Sequence, residues 1–116
     1  MDLVVRQFDR GGVPGLSVAG EVDMATAPRL RDALVQLAAE YPGVTAVIDL
    51  DGVSFLDSLG LGVLVGGLRR MRTTGGDLAL VCTSPRLLDL LALCRLDRVF
   101  EIHTSVAEAA GVIHRG

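Results

Sequence analysis

The sequence predicts a small α/β fold: a mixed β-sheet, mostly parallel with an antiparallel hairpin at its N-terminus, packed with about four helices. Three observations predict it. Strand-like and helix-like patterns alternate along the 116 residues with short connections, the arrangement that crossovers turn into a parallel sheet. The first two strand patterns are separated only by Asp9-Arg10-Gly11-Gly12, too little chain for a crossover, so they pair as a hairpin. Half of the residues are hydrophobic, enough to give one domain over residues 1–116 a real core.

The elements follow in order. Leu3 to Phe8 is the first strand and Val13 to Ala19 the second, with Pro14 and Gly15 suggesting an irregular start. Leu30, Ala33, Leu34, Leu37, Ala38 and Tyr41 share one helical face; Thr26 is the expected cap of that helix, Pro28 lies in its first turn, and Pro42-Gly43 ends it. Thr45 to Leu50 is the third strand. Leu61, Leu64, Val65 and Leu68 stripe the second helix, which stops at Gly75-Gly76. Asp77 to Cys82 is the fourth strand, and Ser84-Pro85 opens a third helix as cap and first residue. Val99 to Ile102 is the expected fifth strand. Ser105 and Glu108 have the spacing of a capping box for a last helix ending near Arg115. No linker, internal repeat or low-complexity run interrupts the order.

Composition narrows the function. The net charge of −3 argues against nucleic-acid binding, which needs a basic face. All eleven positive residues are arginines. Without lysine there is no Walker-type phosphate loop, Schiff base or kinase-type nucleotide lysine. Cys82 and Cys94 stand in apolar surroundings without C-x-x-C spacing, so both are expected as buried free thiols in a reducing compartment. The N-terminus lacks the pattern of a signal peptide, and no apolar run is long enough to cross a membrane. The expectation is a soluble cytoplasmic protein with no membrane partner and no cofactor.

The most informative segment is Phe55-Leu56-Asp57-Ser58-Leu59-Gly60-Leu61-Gly62. An apolar strand runs into it and a helical stripe leaves it, which places Ser58 at the first cap of a helix beside Asp57. Two roles stay open on these residues. As a cap, Ser58 accepts a hydrogen bond from a first-turn N–H. As a displayed hydroxyl, it is an acceptor for a phosphoryl group, which the free N–H groups and dipole of a helix start accommodate. Gly60 and Gly62 sit in the first turn, each about 1 kcal/mol less favourable than alanine, as where something must approach the backbone. Of Leu59 and Leu61, at least one is expected to face outward beside the serine. Asp49, Asp51, Glu21 and Asp23 are candidates for the same acidic rim.

The stretch from Val47 to Leu64, with its Asp57-Ser58-Leu59-Gly60 turn, resembles the signature of the STAS family, specifically its single-domain anti-sigma factor antagonists. The run Gly20-Glu21-Val22-Asp23-Met24-Ala25-Thr26-Ala27-Pro28-Arg29-Leu30 resembles that family's loop between second strand and first helix. The resemblance implies a STAS-like fold over nearly the whole chain and a binding protein rather than an enzyme. It implies that Ser58 is phosphorylated by an anti-sigma factor with serine kinase activity and restored by a phosphatase. It implies that only the unphosphorylated form binds that anti-sigma factor, so that sigma-dependent transcription is regulated. Carried over by position, Ser58 is the phosphorylation site and Asp23, Asp57 and Gly60 match the family's turn and loop; with the flanking apolar Leu59 and Leu61, Asp23, Asp57, Ser58 and Gly60 form the expected partner-binding set. Leu59 departs from the pattern: many relatives have a second serine there. The alternative is a non-switching STAS subunit of a larger assembly for lipid transport or stress sensing.

Other signals stay minor. His103 and His114 come late, and no G-x-S-x-G surrounds Ser58, so a Ser-His-Asp hydrolase is set aside and both histidines are expected in surface or packing roles. No His/Cys/Asp cluster has metal-ligand spacing. Asp49, inside an apolar strand, is expected either to cap a helix or to point outward at a sheet edge. The leucine-rich helix 86–94 is more apolar than one buried stripe requires; burial is expected, and exposure would mark a dimer or second docking surface.

Overall fold

In the computed structural model, residues 2–115 are described. Among them five strands form one sheet in the spatial order β1-β2-β3-β4-β5. They are β1 (Leu3–Arg10), β2 (Val13–Val22), β3 (Thr45–Leu56), β4 (Asp77–Val81) and β5 (Ile102–His103); the helices are α1 (Ala27–Glu40), α2 (Ser58–Thr73), α3 (Pro85–Leu93) and α4 (Val106–Arg115). β1 and β2 pair antiparallel and every later pair is parallel. The hairpin turns on Gly11 and Gly12, both at positive φ, a conformation that glycine adopts without steric cost. This is the predicted mixed sheet.

Alternation along the strands divides the core between the two faces of the sheet. Leu16, Val18, Ala46, Ile48, Leu50, Leu78 and Leu80 pack with the buried stripes of α1, α2 and α3. Val13, Val47 and Val81 point the other way and meet Ala109 and Ala110 of α4. Leu64, in mid-α2, is fully buried, and burial of a leucine stabilises by roughly 1.5–3 kcal/mol. That packing carries a helix whose four glycines weaken it. One of them, Gly67, is required by close approach to α1: a Cβ there would lie 2.9 Å from Leu34 Cδ1.

Several boundaries differ from expectation. β2 runs on to Val22 and β3 to Leu56, because the pair absorbs extra residues of β3, near Asp51 and at Ser54, as register shifts between Ser17 and Ala19 and between Gly20 and Glu21. The irregularity therefore lies in mid-pair rather than at Pro14-Gly15. Asp49 is neither a helix cap nor an edge residue: from the central strand its Oδ1 accepts the N–H of Asp51 at 3.0 Å, a donor the bulge frees from the ladder. β5 keeps only Ile102 and His103. The chain before it forms a 3-10 turn, Leu96–Arg98, leaves Val99 exposed and buries Phe100, so the apolar Phe100 marks a plug rather than a strand.

The capping expectations divide. Ser84 Oγ accepts from Leu87 N–H at 3.4 Å and Ser105 Oγ from Glu108 N–H at 3.0 Å. The Glu108 carboxylate completes the last cap one residue early, on Thr104 N–H and Oγ1. Thr26 stands at the start of α1 without capping it by its side chain. Cys82 is buried, as expected, and burial pushes its thiol pKa up; Cys94, at the end of α3, is exposed, which corrects the expectation of two buried thiols. In α3 Leu87 and Leu91 are buried while Leu93 is 82% exposed.

Candidate functional site

The parallel β2–β3 pair brings two strand ends and two helix starts together. Val22 pairs with Leu56, and Asp57 N–H donates to Val22 O at 3.3 Å. The loop carrying Asp23 and the turn carrying Ser58 thus leave the sheet side by side.

At the second junction, Asp57, not Ser58, caps α2. Asp57 has extended backbone angles, and its Oδ1 accepts from Gly60 N–H at 3.0 Å. The Asp57 carbonyl accepts from Leu61 N–H at 3.0 Å. The expected capping role of Ser58 is corrected by one position. β3 continues to Leu56, so the first residue able to leave the sheet is the aspartate, an equally good cap. Ser58 becomes the first residue of the helix and is exposed. Its hydroxyl makes no hydrogen bond among the described residues, and the N–H groups of Ser58 and Leu59 lack intrahelical acceptors, as at any helix start.

The other residues of the turn divide between surface and support. Leu59 is 51% exposed and Leu61 only 7%, so one of the two faces outward, as expected. Leu61 belongs to the core, and its side chain supports the turn from beneath. Gly60 is likewise buried. A Cβ on Gly60 would come within 2.8 Å of Val22 Cγ1 and closer still to Leu56 Cδ1, so the glycine lets the first turn of α2 sit against the ends of β2 and β3.

Asp23 organises the neighbouring loop. Its Oδ1 accepts from Ala25 N–H at 2.9 Å and Thr26 N–H at 3.1 Å. The Thr26 hydroxyl lies 2.7 Å from Glu21 O, to which it donates, and accepts from Asp23 N–H at 3.0 Å. Donation from the Thr26 and Ala25 N–H groups holds the Asp23 carboxyl below its ordinary pKa. Asp23 is thus committed to loop structure through one oxygen and is half-exposed beside the serine turn. Asp51, by contrast, ties β3 to the end of β4 through Thr83 N–H at 2.7 Å and Thr83 Oγ1 at 3.0 Å.

Two features were not among the site residues read from sequence. Met24, at the loop tip, is 77% exposed and faces Leu59 across a shallow cleft; two apolar residues at junctions the fold makes adjacent are its only sequence signal. His103 is mostly buried and pairs through Nδ1 with Glu108 at 3.3 Å, away from this site. Among the described residues no group of three or more His, Cys, Asp or Glu is placed to hold a metal ion, and no helix is long and apolar enough to cross a membrane.

A fold of this topology with a serine at the strand-to-helix turn defines a class. The STAS domain family model matches residues 9–109, and the chain belongs to that family. It is 38% identical over 94 residues to the anti-sigma-B factor antagonist of Listeria monocytogenes, covering 81% of this chain and 82% of that protein. It is 40% identical over 87 residues to the anti-sigma-B factor antagonist of Bacillus subtilis, covering 75% and 78%. The crystal structure of an anti-sigma factor antagonist from Mycobacterium paratuberculosis superposes with a TM-score of 0.88 at 31% identity, covering 97% of this chain and 95% of that one.

Proposed function

We propose that this protein is an anti-sigma factor antagonist switched by phosphorylation of Ser58. In the unphosphorylated form it binds an anti-sigma factor that is also a serine kinase, and the sigma factor is released. The reading rests on one observation: the Ser58 hydroxyl is exposed at a helix start and has no hydrogen bond among the described residues, because Asp57 has taken the cap. The antagonists named among its relatives, matched over most of their length, support it.

The chemistry asks little of this chain. Ser58 Oγ attacks the γ-phosphorus of an ATP held by the kinase. The new Oγ–P bond replaces the bond to the departing ADP, and the hydroxyl proton leaves to a base on the kinase. The chain's part is to hold the hydroxyl outward on a rigid turn. The product carries about −1.5 to −2 charge at the positive end of the α2 dipole, so the fold tolerates it. Outside, it stands beside Asp57 and Asp23 and repels what had docked there. A phosphatase returns the hydroxyl.

The test uses an anti-sigma kinase purified from the protein's own host. Incubation with ATP is expected to add one phosphate, which mass spectrometry places on Ser58. Ser58→Ala is expected to bind the kinase and resist inactivation, and Ser58→Asp to bind at least about tenfold more weakly with an unchanged melting temperature. Phosphate on another residue, or equal binding by Ser58→Asp, would overturn the proposal.

A further inference from the structure

Beside the serine turn, the surface between α1 and α2 forms a groove that phosphoryl transfer does not use. Its main part, about 320 Å³, is lined by Leu59, Gly62, Val63, Gly66, Arg31 and Arg70. It continues as a cleft of about 190 Å³ under Met24, sharing Leu59, Val63 and Arg31. Ser58 stands at the head of this groove, one residue before Leu59 and one turn before Gly62.

Three properties say what fits it. Its surface is mostly apolar, with Leu59 and Met24 left uncovered. Its α2 side is bare: a Cβ on Gly62 or Gly66 would meet nothing within 4 Å. Packing inside the molecule therefore asks for glycine at neither position, unlike Gly60 and Gly67, and the bare face admits a close external backbone. Its flanks are cationic. Arg70 makes no ion pair among the described residues, Arg31 has only a 3.7 Å pair with the exposed Asp32, and no acidic residue lines either part. The chain as a whole carries −3, so this strip has the opposite sign to the protein that bears it.

We infer that the groove receives an acidic amphipathic helix of the anti-sigma factor, its apolar side against Leu59, Val63 and the glycines and its carboxylates over Arg31 and Arg70. This rests on the proposed function and specifies the partner's docking element. Helix-in-groove recognition uses an apolar stripe of this kind, and opposite charge sets orientation and encounter rate. It also sharpens the switch. A phosphoserine at the head of the groove faces the carboxylates of the segment that the arginines attract, so phosphorylation works through repulsion along the helix as well as through bulk at the turn.

The experiment measures affinity for the purified host anti-sigma factor by titration calorimetry at two salt concentrations. Gly66→Leu starts from a Cβ position with nothing within 4 Å and fills the groove. It is expected to lower affinity about tenfold or more, the scale of a lost hot spot, with a melting temperature equal to or above wild type. Gly66→Ala, a smaller filling, serves if leucine disturbs the fold and is expected to weaken binding with the same sign. Arg70→Glu is expected to weaken binding severalfold and flatten its dependence on salt. Unchanged affinity in the folded glycine variants, with wild type and Ser58→Ala both binding, would overturn the groove and leave the Ser58 switch standing. Failure of wild type and Ser58→Ala to bind would remove the switch itself and the groove with it.

Discussion

Thr26 and Ser58 both carry a hydroxyl at a strand-to-helix junction close to an aspartate, and the junctions are neighbours at the ends of β2 and β3. Thr26 is 8% exposed, and its hydroxyl is held by Glu21 O and Asp23 N–H. Ser58 is exposed, and its hydroxyl has no partner among the described residues. The difference lies in where the aspartate stands. Asp23 is three residues ahead of Thr26 and folds a loop around its hydroxyl. Asp57 immediately precedes Ser58, takes the cap of α2 through Gly60 N–H, and leaves the serine nothing to hold. A hydroxyl becomes available for chemistry when a neighbour does its structural work.

The sharpest way to break this contrast is to remove both hydroxyls. Thr26→Val removes a buried hydroxyl and strands the half-buried Asp23 N–H that it accepts, and is expected to cost about 1–3 kcal/mol. Ser58→Ala is expected to stay within about 0.5 kcal/mol of wild type. Urea melts of the two variants check this, and equal losses would mean that Ser58 carries structural work after all. Asp57→Ala comes next: loss of the cap is expected to cost about 1 kcal/mol. Ser58, itself a good cap residue, then gains a reason to turn inward, so the variant is also expected to be phosphorylated more slowly, as a timed mass-spectrometric assay would read.

The smallest effect concerns pH. The Asp23 carboxyl is held below its ordinary pKa in the folded protein by N–H donation from Thr26 and Ala25. A depressed folded pKa gives stability that is present above the unfolded value and lost as pH falls through the folded one. Asp23→Asn is therefore expected to lower the urea midpoint slightly at neutral pH, where the charged carboxylate contributes, and to flatten its fall below about pH 4. An acid limb as steep as wild type would show that the bonds to Asp23 Oδ1 do not discriminate between its charged and neutral forms.

The sequence carried the architecture well. Period-2 and helical patterns placed the elements in order, and the glycine turn identified the hairpin. Ser84 was read as a cap because Pro85 follows it, and Ser105 because Glu108 stands three residues on. Ser58 was misassigned because Asp57-Ser58 offers two adjacent residues of equal capping ability, and only the length of β3 chooses between them. That length depended on a register shift opposite Ser17 and Ala19, some thirty residues away in the chain. Leu61 and Leu59 posed a similar choice, settled by the direction in which α2 leaves the sheet. Cys94 and Leu93 were read as buried because a leucine run does not say where its helix ends, and α3 stops there.

The sequence by itself determined which elements form and in what order, because periodicity and turn chemistry are local properties of the chain. It also placed an aspartate, a serine and glycines at the turn where the site is built. Only the tertiary structure decided which of two adjacent polar residues caps the helix and which faces outward. That decision lies in the pairing of Val22 with Leu56 and the bond from Asp57 N–H to Val22 O. These contacts join distant parts of the chain, and their register fixes where β3 ends and so which side chain is left over.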